Sequence, residues 1–282
     1  MDAARELVVL TGATGFVGRQ VLRHLLKAGR AVRVLVRDPS RVEAADGSDV
    51  EVVATPDLFA EPPMRLEALL DGADTLVHAA WYAEPGKYLG SSKNLDCLTG
   101  TIALARAFAA VRGRRFIGVG TCAEYDTSAG LLSTVTPLAP CTLYAACKAS
   151  AFLTLRSHFY STDTAFAWCR LFYLYGEGED GRRLVPSIRR HLSAGQEMPL
   201  TRGDQVRDFL DVAEAGRMIV DIALGEQVGA VNICTGEGIS VRQLAERIAD
   251  EYGRRDLLRF GARPDNAFDP PRIVGVPGGV GW

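Results

Sequence analysis

The sequence predicts an α/β fold, a doubly wound parallel sheet with a smaller lobe built mainly from the C-terminal third. Three observations point to it. Short apolar runs alternate with helical patterns as far as Tyr175, a glycine-rich turn separates the first run from the first helix, and after Tyr175 the chain changes to charged loops and shorter elements. Strands separated by helices imply βαβ units, and therefore parallel pairing with helices on both faces of the sheet.

Taken in order, "ELVVLTG" is the first strand, and Val17, Val21, Leu22, Leu25 and Leu26 repeat on one face of the helix after it. "AVRVLVR", "DVEVVA" and "DTLVHAA" are further strands, with a short helix over about 64–70 before the last. A long helix over about 94–111, the strand "RFIGVG", a helix over about 144–160 and the strand "AFAWCRLF" follow. Beyond "GEGEDGRR", Pro186 opens a helix, "VRDFLDVAEAGRMIVDIAL" reads as another, "AVNIC" as a short strand, and "SVRQLAERIADEY" as a capped helix. The tail "GARPDNAFDPPRIVGVPGGVGW" is rich in Pro and Gly and predicts irregular structure. These elements divide the chain into a core of residues 1–175 plus about 207–235, and a lobe of residues 176–206 and 236–282.

Composition narrows the function classes. Apolar residues make up 48% of the 282 and charged residues 23%, enough for a large core under an ordinary polar surface. The net charge of −2, with acids and bases interleaved, argues against a general affinity for nucleic acid or anionic lipid. No stretch reads as a membrane span, and "MDAARELVVLTG" lacks a signal-peptide pattern. Cys97, Cys122, Cys141, Cys147, Cys169 and Cys234 form no CxxC, which fits reduced thiols in a cytoplasmic protein. No metal ligand set is read from the sequence.

"VVLTGATGFVGRQVL" sets Gly12, Gly15 and Gly18 between strand and helix. Residues without Cβ permit a tight turn and let a pyrophosphate approach the backbone, where the helix N-terminus offers unpaired N–H groups. This predicts a Rossmann-type dinucleotide site. The second strand ends in Arg37, then Asp38, with Arg41 nearby. Guanidiniums pair with a ribose 2′-phosphate, whereas an acid there would hold a 2′-hydroxyl. The pattern favours NADP(H) over NAD(H), with Asp38 the residue that would reverse it.

The spacing of "TGATGFVG", "DTLVHAA" and "YAACK" resembles the extended short-chain dehydrogenase/reductase family, the NAD-dependent epimerase/dehydratase group. "GTCAEY", "CRLFYLYGEGE", "VRDFLDVAEAG" and "VNICTGEGISVRQL" extend the likeness over nearly the whole chain. The resemblance implies catalysis by Thr121, Tyr144 and Lys148. It implies cofactor contacts from Gly12, Thr14, Gly15, Phe16, Val17 and Gly18, from Arg37, Asp57, Leu58, Ala79 and Ala80, and from Lys148 at the nicotinamide ribose. Chemistry explains the residue types. Hydride transfer at a carbinol or ketone carbon needs a proton to leave or join the oxygen. A phenol with a reference pKa of about 10 needs help from a nearby ammonium, and Tyr144 and Lys148 share a helix face. Thr121, at a strand end, can hold the reacting oxygen.

Departures from the family pattern narrow the reaction. Sugar 4,6-dehydratases place an Asp–Glu pair after the Thr, where this chain has Cys122 and Ala123. The 3,5-epimerising reductases use a Cys two places after the Ser, which is Ala123 here, so Cys122 reads as a packed core thiol. The Asn of "NVYG" is Tyr173, which weakens a 4-epimerase assignment, and the Asn of "NxxGT" is Cys97. What remains suits reversible hydride transfer at one carbonyl, as in reductases of nucleotide-linked 4-keto-6-deoxyhexoses. Tyr125, Tyr173, Arg207 and Arg263 are the expected substrate contacts, the arginines at the diphosphate, and His78 reads as framework. Two alternatives stay open: a nucleotide-sugar 4-epimerase retaining NAD, and a non-catalytic NADP(H)-binding sensor. The family also implies a homodimer through the two long core helices. The chain stops at Trp282, where relatives continue, so a trimmed or open lobe is expected.

Overall fold

The computed structural model describes residues 6–43, 48–266 and 269–280; Trp282 lies outside them. The chain begins β1 (Leu7–Thr11), α1 (Phe16–Lys27), β2 (Ala31–Val36), β3 (Val50–Ala54), α2 (Pro63–Leu70), β4 (Thr75–His78), α3 (Lys93–Ala110) and β5 (Arg115–Thr121). It continues with β6 (Leu131–Leu132), α4 (Leu143–Tyr160), β7 (Ala165–Leu171), β8 (Tyr173–Tyr175), α5 (Leu184–Ser193), β9 (Met198–Pro199), β10 (Val206–Arg207) and β11 (Phe209–Asp211). Last come α6 (Val212–Leu224), β12 (Gly229–Ile233), β13 (Ile239–Ser240), α7 (Val241–Tyr252), β14 (Leu258–Arg259), β15 (Arg272–Gly275) and β16 (Gly278–Val280).

The main sheet has the order β16-β12-β7-β5-β4-β1-β2-β3, parallel throughout except for β16. Its inner strands are buried on both faces, which is why they read as near-continuous apolar runs, while the edge strand β3 is largely exposed. On one face Val8, Leu10 and Val34 pack with Val21 and Leu25 of α1 and Ile219 of α6. On the other, Val9, Leu35, Leu76 and Phe116 meet Leu66 of α2, Leu104 and Phe108 of α3, and Phe152 and Leu155 of α4. The smaller lobe has its own core, in which Val185, Ile188 and Leu192 of α5 lie against Leu244 and Ile248 of α7.

Two segments differ from expectation. "VRDFLD" is not helical: it forms β10 and β11, and α6 starts only at Val212 with Asp211 as its cap, accepting from Ala213 N–H at 2.8 Å. An Asp stabilises a helix start better than a helix interior. The extended backbone also frees Asp208 to accept from the N–H groups of Thr235, Gly236 and Gly275, at 2.8, 2.9 and 3.2 Å. The tail is likewise more regular than its composition suggests. β15 lies parallel to β10, and β16 pairs antiparallel with β12, so Gly278–Val280 rejoins the core sheet although the sequence placed it in the lobe. Runs of three or four residues are too short to show a period, and only the waiting strand edges order them.

Candidate active site

In an open α/β sheet, ligands bind beyond the carboxyl ends of the strands where the connections reverse direction. Here that point lies at β1, flanked by β2 and β4. Gly12 takes φ +75°, and a Cβ on it would sit 2.7 Å from Ala80 N. A Cβ on Gly18 would sit 2.1 Å from the Gly12 carbonyl oxygen. Both glycines are therefore fixed by backbone meeting backbone. Gly15 is different: it is exposed at the N-cap of α1, where no side chain caps the first turn. The N–H groups of Phe16, Val17 and Gly18 precede the first helical bond, Arg19 N–H to Gly15 O at 3.0 Å, and are free to meet an anion. The turn therefore fits a dinucleotide pyrophosphate.

The surroundings of the turn are tied together by hydrogen bonds. His78 bridges the hydroxyls of Thr11 (2.8 Å) and Thr101 (2.9 Å), and Thr11 Oγ1 accepts from Ala80 N–H at 3.2 Å. Burial lowers the His78 pKa to about 3, so the ring is a neutral brace. At the end of β2, Arg37 and Arg41 are exposed, with no salt bridge among the described residues. Asp38 accepts from Ser40 N–H at 3.1 Å and from its hydroxyl at 2.6 Å. Asp57 is exposed and caps its own turn by accepting from Phe59 N–H, while Leu58 is buried beside it. Ala79 and Ala80 follow β4 against Gly12.

Thr121 ends β5, and α4 opens at the N-cap Thr142, which accepts from Ala145 N–H. The fold brings the Thr121 hydroxyl close enough to Tyr144 to favour its phenolate. Burial raises the phenol, Tyr88 and Glu124 add to this, and Thr121 opposes it. The Tyr88 ring meets Tyr144 edge-on at 4.8 Å. Lys148 is 3% exposed; it donates to Val119 O at 2.6 Å and lies 3.8 Å from the centre of the Trp81 ring. Burial lowers its ammonium to about 7, with Glu124 opposing. The sequence suggested an ammonium drawing the phenol down. In this structure the ammonium is turned towards Val119 and Trp81, and desolvation dominates the phenol.

The expected substrate contacts divide. Tyr173 lies beside Arg207, whose guanidinium carbon is 5.3 Å from the Tyr173 ring centre. Arg207 is 3% exposed and paired with Asp269 at 2.5 Å, so its charge is already answered. Arg263 is exposed in the lobe. Tyr125, expected at the sugar, is 1% exposed instead, with its hydroxyl held by Asn232 (2.7 Å) and Arg170 (2.9 Å). Cys122 is a packed thiol raised to about 12 by burial.

Sequence reasoning missed three participants: Trp81 on Lys148, Tyr88 on Tyr144, and the buried Glu124–Arg170 ion pair at 2.7 Å. Removing one partner of such a pair costs on the order of 3–5 kcal/mol. A Glu three residues after Thr121 is a capping-box spacing and was the one available signal. Among the described residues no cluster of three His, Cys, Asp or Glu side chains could hold a metal ion, and no helix is long and apolar enough to cross a membrane.

The chain is 24% identical to a dTDP-6-deoxy-L-talose 4-dehydrogenase (NAD(+)) of Aggregatibacter actinomycetemcomitans, over 95% of this chain and 99% of that one. Among solved structures it resembles a UDP-N-acetylglucosamine 4-epimerase of Methanobrevibacter ruminantium, with TM-score 0.84 and 21% identity over 97% of this chain and 90% of that one. It also resembles DesIV, a dTDP-glucose 4,6-dehydratase of Streptomyces venezuelae solved with NAD, with TM-score 0.82 and 23% identity over 96% and 88%. The family model for the NAD dependent epimerase/dehydratase family matches residues 8–234. With its glycine turn at the switch point of a doubly wound sheet, the chain belongs to that family, an extended short-chain dehydrogenase/reductase.

Proposed function

We propose that the chain reduces a nucleotide-linked 4-keto-6-deoxyhexose to the 4-hydroxy sugar, using NAD(P)H and Tyr144 as the acid. The observation that carries this reading is the approach of Thr121 to Tyr144, with Lys148 one helical turn on and, among the described residues, no second acid–base pair at the positions that follow Thr121. The positions a dehydratase would use hold Ala123 and the buried thiol of Cys122. When bound, the nicotinamide supplies the hydride to the carbonyl carbon. Tyr144 gives its proton to the developing alkoxide, and Thr121 donates a hydrogen bond to the same oxygen. Thr121 Oγ1 already accepts from Ala123 N–H at 3.3 Å, which leaves its O–H free to donate. A phenol raised by burial is protonated at neutral pH, the state a proton donor needs. The talose dehydrogenase relative is named for the opposite direction of C4 chemistry.

NADP(H) is preferred over NAD(H) in this proposal. Exposed Arg37 and Arg41 suit a 2′-phosphate, while Asp38 is engaged by Ser40. Tyr173, Arg207 and Arg263 remain the proposed substrate contacts. A homodimer through α3 and α4 belongs to the same reading, supported by the exposed Leu95, Leu153 and Tyr160 on those helices, and sedimentation measures it directly.

The test is a panel of nucleoside-diphosphate 4-keto-6-deoxyhexoses with NADPH or NADH, followed at the nicotinamide absorbance. Consumption of NADPH with at least one of these sugars is expected. Product formed from a 4-hydroxy sugar with no added cofactor, by protein that purifies with NAD bound, would replace the reductase by a 4-epimerase.

A further inference from the structure

Glu124 lies three residues after Thr121 and is fully buried. Its Oε1 accepts from Thr121 N–H at 2.8 Å, its Oε2 from Arg170 Nε at 2.7 Å, and both oxygens from Trp168 Nε1 at 3.0 and 3.1 Å. The Thr121 hydroxyl in turn accepts from Ala123 N–H, so Thr121 and Glu124 form a reciprocal capping box at the end of β5. The hollow is built for this carboxylate. A Cβ on Gly120 would lie 2.4 Å from Glu124 Oε1 and 2.1 Å from Trp168 Nε1, so only glycine leaves room for both. The same Trp168 ring lies 5.7 Å from Lys148 Nζ. Arg170 fixes the far side, donating to Tyr125, which donates to Asn232.

We propose that Glu124 is a positioning residue of the reaction. Its carboxylate fixes the backbone of Thr121 beside Tyr144, and its charge, held in place by Arg170, sits on the indole N–H of the Trp168 ring that Lys148 approaches from the other side of the site. The groups acting on Lys148 and Tyr144 come from several elements. His78 on β4 and Cys97 on α3 bear on Lys148; Tyr88, Thr121 and Cys122 bear on Tyr144; Glu124 bears on both. Of these, His78 is held neutral, and the thiols of Cys97 and Cys122 are raised by burial. Glu124 is the carboxylate of the set, and it opposes the burial that would strip Lys148 of its proton.

This inference rests on the catalytic roles proposed for Thr121, Tyr144 and Lys148. Its test is the pH profile of kcat/KM for ketone reduction in Glu124→Gln and Glu124→Asp. The Gln variant keeps an acceptor for Thr121 but removes the charge. Its basic limb is expected about 0.5–1 pH unit lower, because Lys148 and Tyr144 then both lose their protons more readily. The Asp variant keeps the charge but falls one methylene short of Thr121. It is expected to keep the limb in place while kcat drops about threefold to tenfold with KM little changed. A lower melting temperature with an unmoved limb in the Gln variant would reduce Glu124 to a structural strut. If the Gln variant does not fold, unchanged kcat in the Asp variant overturns the proposal. Should Tyr144→Phe prove active, the catalytic assignment itself falls; an inactive Tyr144→Phe with an unmoved Gln limb sinks only the role of Glu124.

Discussion

In the proposed reading, the pyrophosphate side of the cleft is made from the backbone of one short stretch, residues 11–19. The proposed substrate side gathers side chains from separate parts of the chain: Tyr88 before α3, Thr121 at the end of β5, Tyr144 on α4, Tyr173 on β8 and Arg207 on β10. On the first side, geometry is set by what cannot be there, since a Cβ at Gly12 or Gly18 would overlap backbone atoms. On the second, it is set by which side chains happen to face one another after folding. A backbone-built wall tolerates little change but binds a common cofactor. A side-chain-built wall can be re-equipped residue by residue, which fits relatives named for different nucleotide sugars.

The largest expected effect lies where the two sides meet. Tyr144→Phe should lower turnover about 10²-fold or more while leaving cofactor affinity unchanged. Steady-state rates and a cofactor titration measure the two separately, and near-normal rates would move the acid elsewhere. Gly18→Ala tests the backbone wall alone. With the new Cβ 2.1 Å from a carbonyl oxygen that cannot swing aside, cofactor affinity should fall about tenfold or more, with a lower Tm. Normal cofactor binding by that variant would mean that the close approach of turn and helix is dispensable. Arg37→Asp acts at the rim, where a side chain rather than backbone meets the cofactor. The ratio of kcat/KM with NADPH to that with NADH should fall about tenfold, since a carboxylate repels a 2′-phosphate. An unchanged ratio removes Arg37 from the site.

The same contrast explains what was legible in the sequence. Gly12 and Gly18 announce the turn because a Cβ at either would overlap backbone atoms, whereas Gly15, exposed and extended, was read from spacing alone. Tyr144 and Lys148 announce themselves because a helix fixes their relation at four residues. The inner strands of the main sheet were visible as apolar runs because both of their faces are buried. Tyr125 misled because its neighbours in sequence say nothing of Asn232 and Arg170, which close over its hydroxyl from β12 and β7. Trp81 was silent for the same reason: its place over Lys148 is set by Asn94, which accepts from its indole N–H at 2.8 Å. "VRDFLD" read as helix because six residues offer no period long enough to separate helix from strand, and the contacts of Asp208 decided the matter.

The smallest expected effect bears on the least legible residue, Arg207. Its Nη2 donates to Asp269 and its Nη1 to Val206 O, and Tyr173 stands beside it. A buried guanidinium answered by one half-exposed carboxylate can serve two ends. It can be a strut joining tail to lobe, or a diphosphate site whose anion must displace Asp269 before it binds. Asp269→Asn separates these. The amide oxygen still accepts a hydrogen bond, but the competing charge is gone. If Arg207 receives the substrate diphosphate, KM for the nucleotide sugar should fall about twofold to fivefold with kcat unchanged, and the gain should shrink as salt rises. If Arg207 is only a strut, Tm should fall while KM and its salt dependence stay as they were. That result would leave the substrate wall to Tyr88, Tyr173 and the exposed Arg263, and would make the contrast with the backbone-built cofactor wall sharper still.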